Sequence, residues 1–254
     1  MAPTYNKAGS GRARVPDGLR VYAIGDIHGR ADLLERLLAR IEADFQDRPA
    51  AGGRIVYLGD YVDRGPDSRG VIDILLAGPP AGLDAIHLKG NHEDFLLRFA
   101  DDGTAGETWL MNGGGATMAS YGVAEAADTS HAIWHLDEIR HDFVDAMPAA
   151  HAAFFRALAL YHAEGGYLFV HAGLRPGIAL ERQSAEDMMW IRDDFLRAET
   201  DFGHVVVHGH SARPDPVERP NRIGIDTMAY RSGRLTALVL EGASRRYLAT
   251  QAFD

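Results

Sequence analysis

The first hundred residues repeat one pattern three times: a short apolar run, a glycine-marked polar loop, then apolar residues at helical spacing. Leu19–Ile24 stops at Gly25 and is followed from Ala31 to Phe45 by Leu33, Leu34, Leu37, Leu38 and Ile41. Arg54 to Leu58 leads through Gly59–Asp67 into the apolar stretch Val71–Leu76, and Leu83 to Leu88 leads through Gly90-Asn91 into Phe95, Leu96 and Phe99. Three strand-loop-helix units predict parallel strands joined by right-handed crossovers, with ligand loops at the carboxyl ends of the strands. The expected fold class is α/β.

From about residue 104 to 158 the pattern changes. Helical stretches are expected around Trp109, at Trp134–Val144 and at Pro148–Leu158, with Gly113–Gly115 as a loop joining helices, so this region is read as a helical insertion. A hairpin is predicted from Ala157–Tyr161 and Tyr167–Val170 around Glu164-Gly165-Gly166. Later strands are expected at Val205–Val207, Arg222–Ile225, Leu235–Leu240 and Tyr247–Gln251. No linker, repeat or low-complexity run divides the chain, and 254 residues can bury a sizeable core, so residues 19–254 are read as one domain. Residues 1–18, rich in Gly, Pro, Arg and small side chains, are read as a flexible tail.

Composition removes whole function classes. With 26 basic and 36 acidic side chains the formal charge is −10, which repels nucleic acid and anionic lipid. Neither a secretory apolar region nor a stretch of 18 or more apolar residues is present, and a cytoplasmic, membrane-free location is expected. The absence of cysteine excludes disulfides, zinc–thiolate sites and thiol nucleophiles. Any metal must be held by His, Asp, Glu or Asn. There is no Asp-x-Asp pair and no Gly-x-Ser-x-Gly elbow, and the two lysines, Lys7 and Lys89, lie outside any Walker-type loop.

Ligand-grade residues stand instead at strand ends: Gly25-Asp26-Ile27-His28-Gly29, Gly59-Asp60-Tyr61-Val62-Asp63-Arg64-Gly65, Gly90-Asn91-His92-Glu93, His171-Ala172-Gly173 and His208-Gly209-His210. In a parallel or mixed sheet these loops converge. Carboxylate, imidazole and amide oxygen donors without thiolate suit manganese, iron or zinc rather than calcium.

The five motifs, in that order from about Val21 to Asp226, resemble the signature of the PPP-type metallophosphoesterases, a family that includes serine/threonine protein phosphatases and symmetrical diadenosine tetraphosphatases. The resemblance implies a calcineurin-like fold, a central mixed β-sandwich flanked by helices. It also implies two divalent cations, manganese first, with iron or zinc as alternatives. One would be held by Asp26, His28 and Asp60, and the other by Asp60, Asn91, His171 and His210. Such a pair, about 3.5–4 Å apart, activates a bridging hydroxide for in-line attack on phosphorus. His92 would be the general acid, oriented by Asp63. Arg64 and, between the last two histidine ligands, Arg192 would grip phosphate oxygens, with Asn91 also facing the substrate.

Other readings compete at some of these positions. His208 and His210 face the same way on a continuing strand, and the family's Gly-His pattern favours His210 as ligand. Arg192 could instead pair with Asp193 and Asp194. Asp226 resembles the family's Ile-Asp-Thr-Gly segment, but Met228 stands where that segment has glycine, so a structural role weighs at least equally. His131 and His135 form an i, i+4 pair and, with His141 and His151, are read as solvated helix-face residues. The expected activity is phosphomonoester hydrolysis on phosphoserine or phosphothreonine of a protein, or on a small phosphate ester. A dinucleoside polyphosphate hydrolase is the alternative, and a non-catalytic phosphoprotein-binding module the remote one. A monomer is the expected state.

Overall fold

A computed structural model describes residues 13–251. The three expected units are present as β1 (Leu19–Ile24), α1 (Ala31–Asp47), β2 (Gly52–Tyr57), α2 (Ser68–Ala77), β3 (Leu83–His87) and α3 (Asn91–Asp102). The insertion is helical throughout: α4 (Gly106–Met111), α5 (Gly114–Ser120), α6 (Thr129–Ala132), α7 (Leu136–Ala146) and α8 (Ala149–Arg156), with a single 3-10 turn at Ala124–Ala127. The remaining elements are β4 (Tyr161–Glu164), β5 (Tyr167–Val170), a 3-10 turn at Leu180–Arg182, α9 (Ala185–Trp190), α10 (Asp193–Leu196), β6 (Val205–His208), β7 (Val217–Arg219), β8 (Arg222–Gly224), α11 (Ala229–Ser232), β9 (Thr236–Glu241) and β10 (Ser244–Ala249).

Two five-stranded mixed sheets result, ordered β10-β9-β1-β2-β3 and β4-β5-β6-β8-β7. β1, β2 and β3 run parallel in one, and β5, β6 and β8 in the other. Side-chain alternation shows how they stack. Val21 and Ala23 of β1 pack with Val56, Phe169, Val207, Ile223 and Leu240 in a cluster between the sheets. Tyr22 and Ile24 turn to the opposite face and pack with Leu33, Leu37, Ile41 and Ile72 of the helices. On the outer face of the second sheet, Leu168, Val170 and Val206 meet Met188, Ile191 and Phe195. Strands buried on both faces must be apolar at successive positions, which is why β1, β5 and β6 read as continuous runs.

Three expectations are corrected and one strand is added. The first hairpin strand begins at Tyr161, not Ala157, because the Ala157 N–H still closes α8 on Ala153 O and Phe154 O. β10 starts three residues earlier than expected, its alternation hidden by Arg245 and Arg246, whose charges pair with Glu218 and Asp44. β7 was not legible, being three residues long with no periodicity to read. Of the expected tail, residues 1–12 lie outside the described residues, whereas residues 13–18 are tied down: Val15 is buried between the sheets and donates to Gly242 O at 3.1 Å. No helix among the described residues is long and apolar enough to cross a membrane.

Candidate active site

The carboxyl ends of β1, β2, β3, β5 and β6 deliver Asp26 and His28, Asp60, Asp63 and Arg64, Asn91 and His92, His171, and His210 to one place. The backbone is strained there. Among the described non-glycine residues φ is positive at His28 (47°), Asp60 (52°), Asp63 (74°), Arg64 (68°), His210 (58°) and Met228 (57°), all at or beside this point. A left-handed residue costs roughly 1–2 kcal/mol, a strain that well-packed surroundings hold at functional sites.

Asp60 is the centre of the arrangement. Its Oδ2 lies 3.6 Å from His28 Nε2 and 3.8 Å from His92 Nε2, while Oδ1 lies 3.4 Å from His171 Nε2. Two donor triplets therefore share one carboxylate: His28, Asp60 and His92, and Asp60, His171 and His210, the donor atoms of each within 4.8 Å of one another. Burial opposes ionisation of Asp60, yet the fields of His171, His92, His28 and His210 hold its carboxyl far below the usual range. Burial drives the pKa of His28 and His171 down, and that of His210 down to about 2, which favours the unprotonated form that a cation requires. His28 and His171 orient their rings through Nδ1 on Val62 O (2.8 Å) and Leu58 O (2.9 Å), which turns an Nε2 lone pair inward.

Asp26 belongs to neither triplet. Its oxygens accept the His210 N–H at 3.1 and 3.2 Å across Gly209, where any Cβ would come within 2.0 Å of Asp26 Oδ1. Burial, with Asp226 and Asp60 nearby, pushes its carboxyl well above the usual range. Asp226, whose carboxylate accepts the Met228 N–H at 2.9 Å, is likewise pushed up by burial, to about 6. Left-handed Met228 thus occupies a conformation that suits glycine better.

Beside the triplets, His92 Nδ1 donates to Asp63 Oδ2 at 2.5 Å. Burial lowers the His92 pKa, but Asp60 and the Asp63 hydrogen bond outweigh it and hold it above the ordinary value. Asp63 is fully buried and is itself held by Trp109 Nε1 (2.7 Å) and Thr117 Oγ1 (2.6 Å). Glu93, at the third position of α3, accepts the backbone N–H groups of Asp60, Tyr61 and Gly90 at 2.8–2.9 Å and so fixes the loop that carries Asp60. Burial and Asp60 raise its carboxyl to about 7. Sequence reasoning assigned no role to Glu93, Trp109 or Thr117. The Gly-Asn-His-Glu motif could have flagged Glu93 as a capping residue, whereas nothing distinguishes the other two from core.

A cleft of about 550 Å³ opens over the centre, with Arg64, Asn91, His92, Arg192, His210 and Asp226 on its walls. Arg64 reaches inward, placing its guanidinium 2.6 Å from His28 Nε2 and 3.0 Å from His92 Nε2, and its Cζ lies 5.1 Å from the Tyr230 ring centroid. Tyr230, a further unforeseen residue, also packs edge-on against His28 at 5.4 Å. Arg192 donates to His210 O at 3.2 Å. Its neighbours Asp193 and Asp194 bond Arg197 and Arg175 instead. His208 turns away from the triplets, bonding Gly209 O and packing on Phe195. His135 and His141 are exposed, as read from the sequence. His151 is not: it is buried between Tyr121 Oη (2.8 Å) and Asp73 (3.0 Å), where it ties the insertion to α2. The side chain of His131 lies outside the described residues.

The donors fit divalent cations. His210 Nε2 is buried without a hydrogen-bond partner, and the His171 Nε2 lone pair converges on Asn91 Oδ1 at 2.9 Å, two acceptors aimed at one point. Imidazoles with one shared carboxylate and an amide oxygen are donors that first-row divalent ions accept.

Two stacked mixed sheets with such a donor set at their strand ends define the class of α/β sandwich domains built around a dinuclear metal centre. The sequence model of the calcineurin-like phosphoesterases matches residues 19–234, and the chain belongs to that family, whose members use a divalent dimetal centre. Over 158 residues it is 32% identical to the symmetrical bis(5'-nucleosyl)-tetraphosphatase of Dechloromonas aromatica, covering 62% of this chain and 45% of that protein. Over 94 residues it is 36% identical to serine/threonine-protein phosphatase 1 of Salmonella typhimurium, covering 37% of this chain and 38% of that protein. The chain thus spans less than half the length of these curated relatives. A cold-active protein-tyrosine phosphatase of a psychrophilic Shewanella shares the fold, with a TM-score of 0.58 over 94% of this chain and 83% of that one at 16% identity.

Proposed function

We propose that this chain is a metal-dependent phosphoesterase whose favoured substrate is a dinucleoside polyphosphate. The observation that carries the phosphoesterase reading is the histidines gathered on both oxygens of Asp60, His28 and His92 on one and His171 on the other, with His92 also paired to Asp63 and two arginines in the same cleft. The tetraphosphatase relatives weigh toward the anhydride substrate over the phosphoprotein expected from the motifs alone.

Asp26, His28 and Asp60 would hold one cation, and Asp60, Asn91, His171 and His210 the other. Manganese is the first candidate, ahead of iron or zinc. When bound, such cations polarise a phosphoryl oxygen and supply an activated water nucleophile near neutral pH. Arg64 must release His28 Nε2 before that ring can hold a cation, and His92 Nε2 before it can carry the acid proton; its guanidinium would then face Arg192 across the cleft to grip phosphoryl oxygens. As the new P–O bond forms and the old one breaks, His92 delivers the Nε2 proton to the leaving oxygen while its Nδ1–H stays on Asp63. Binding in the cytoplasm as a monomer completes the reading.

The test is kcat/KM on manganese-loaded protein for diadenosine tetraphosphate against a phosphoserine peptide, since substrate choice is a difference in transition-state binding. A higher value for the tetraphosphate is expected. The reverse ratio favours the protein phosphatase reading, to which the Salmonella relative points. No turnover of either substrate or of an aryl phosphate defeats both and returns the chain to a phosphate-binding module.

A further inference from the structure

A second, smaller cavity of about 160 Å³ lies behind the segment 210–213, with Asp226 lining both it and the cleft. Its walls come from the β7–β8 hairpin and the end of β6. Alternation turns Val217, Arg219, Arg222 and Gly224 toward the cavity. Glu218 faces the other way and bonds Arg245 and Tyr247. Arg219 and Arg222 are register partners, like charges directly opposite each other, which destabilises an antiparallel pair.

Among the described residues no carboxylate pairs with them. Arg222 is held by neutral groups, the Ala198 and Leu196 carbonyls and Asn221 Oδ1, and Arg213, on the same cavity, donates to Ala212 O. None of the three forms an ion pair among the described residues, in a chain where acids outnumber bases 36 to 26. Burial, and then Arg219, lower the pKa of Arg222, the mark of a cation left uncompensated. Ser211 Oγ lines the same cavity, buried and without a hydrogen-bond partner. The carboxylates nearby are Asp226, whose oxygen is engaged by the Met228 N–H, and Glu199 in the groove that continues outward past Arg219.

We infer that this cavity is a second anion subsite, holding a further phosphate of a polyphosphorylated substrate while the phosphate to be cleaved lies between Arg64 and Arg192. It rests on the phosphoesterase reading of the adjoining centre. The ligand chemistry is a chain of linked phosphates: guanidinium groups bind phosphate oxygens in pairs, a serine hydroxyl adds a donor, and the cavity has room for about five water volumes at ~30 Å³ each. It gives a physical reason for a polyphosphate to be preferred over a monoester, which reaches only the first site.

The experiment is calorimetric titration of the manganese-loaded full chain with inorganic tripolyphosphate, diadenosine tetraphosphate and orthophosphate, comparing wild type with Arg219→Ala. The expected result is a loss of about tenfold or more in affinity for both polyphosphates, with a several-fold smaller loss for orthophosphate. Equal losses for all three, no loss, or no polyphosphate binding by the wild type would overturn the subsite. Arg213→Gln, on a loop outside the sheet, repeats the comparison if Arg219→Ala alters the circular dichroism. Selective loss of tripolyphosphate binding in a chain that hydrolyses no phosphate compound would sustain the subsite and remove the proposed activity, so the two can fail separately.

Discussion

In the proposed mechanism His92 carries the heaviest chemical demand on any one residue, and its surroundings suit that role: Asp63 on one nitrogen, Asp60 near the other, Trp109 and Thr117 fixing Asp63 from behind. His92→Ala is expected to lower kcat on an alkyl phosphate ester by about 10²–10⁴-fold, with metal content retained. A phosphate leaving group is a weaker base than an alkoxide, so the loss on diadenosine tetraphosphate should be smaller; steady-state kinetics on both substrates checks this. A remote histidine contributes to acid stability. His87 stacks on Tyr57 with ring centroids 4.9 Å apart, its Nε2 buried without a partner, and burial lowers its pKa to about 4. Between that value and about 6.5 the unfolded chain binds the proton and the folded chain does not, so stability falls as pH drops through this window. His87→Phe should therefore lose about 1–2 kcal/mol less than wild type between pH 7.5 and 5 in urea titrations. Equal losses would show that His87 is not the group responsible. The convergence of the proposed ligands was legible because each sits in a strand-end motif. Trp109, Thr117 and Tyr230 were not, since a tryptophan at helical spacing reads as core and a lone tyrosine carries no spacing at all.

Among the elements, the turn between α4 and α5 shows how the insertion reaches the centre. Gly113 has φ of 102°, accepts the Arg64 N–H at 3.2 Å, and would bring a Cβ within 2.9 Å of Arg64 Cγ. From sequence it was only a loop joining helices; contact with Arg64 depends on tertiary packing that no local pattern encodes. Gly113→Ala should destabilise the fold by about 1–3 kcal/mol through backbone strain and raise KM for an aryl phosphate by displacing Arg64. Chemical denaturation and kinetics separate the two effects, and an unchanged KM would disconnect the turn from Arg64. Strand positions were legible wherever both faces are buried, as in β1, β5 and β6. They faded at the edges: β7 is too short to alternate, and β10 hides its period behind charged residues whose partners lie on other strands.

For the molecule as a whole, metal binding and folding are linked. The centre holds Asp26, Asp60 and Asp226 close together, and burial and their mutual fields push Asp26 and Asp226 toward protonation. Cations bound there would relieve that repulsion. They would also stabilise the native state, by about 2.7 kcal/mol at a hundred times Kd, or roughly 5–10 °C in Tm for a domain this size. Thermal denaturation of chelator-treated protein, with and without added manganese, measures it; equal Tm values at saturating manganese would contradict the assigned donors. The formal −10 would fall in magnitude to −6 with two divalent ions (−10 + 4), leaving the cleft and its arginine-lined neighbour as positive places on an acidic surface.

The way the two sheets share their donors also orders events in time. A chain emerging from the ribosome as far as α8 already contains Asp26, His28, Asp60, Asn91 and His92, but neither His171 nor His210. β9, the neighbour that completes β1, lies later still. Until the last strands dock, Asp60 has histidine rings beside only one of its two oxygens. On the proposed ligand assignment, capture of the second ion would therefore be a late event in biogenesis, and a chain stalled before β5 would carry only half a centre.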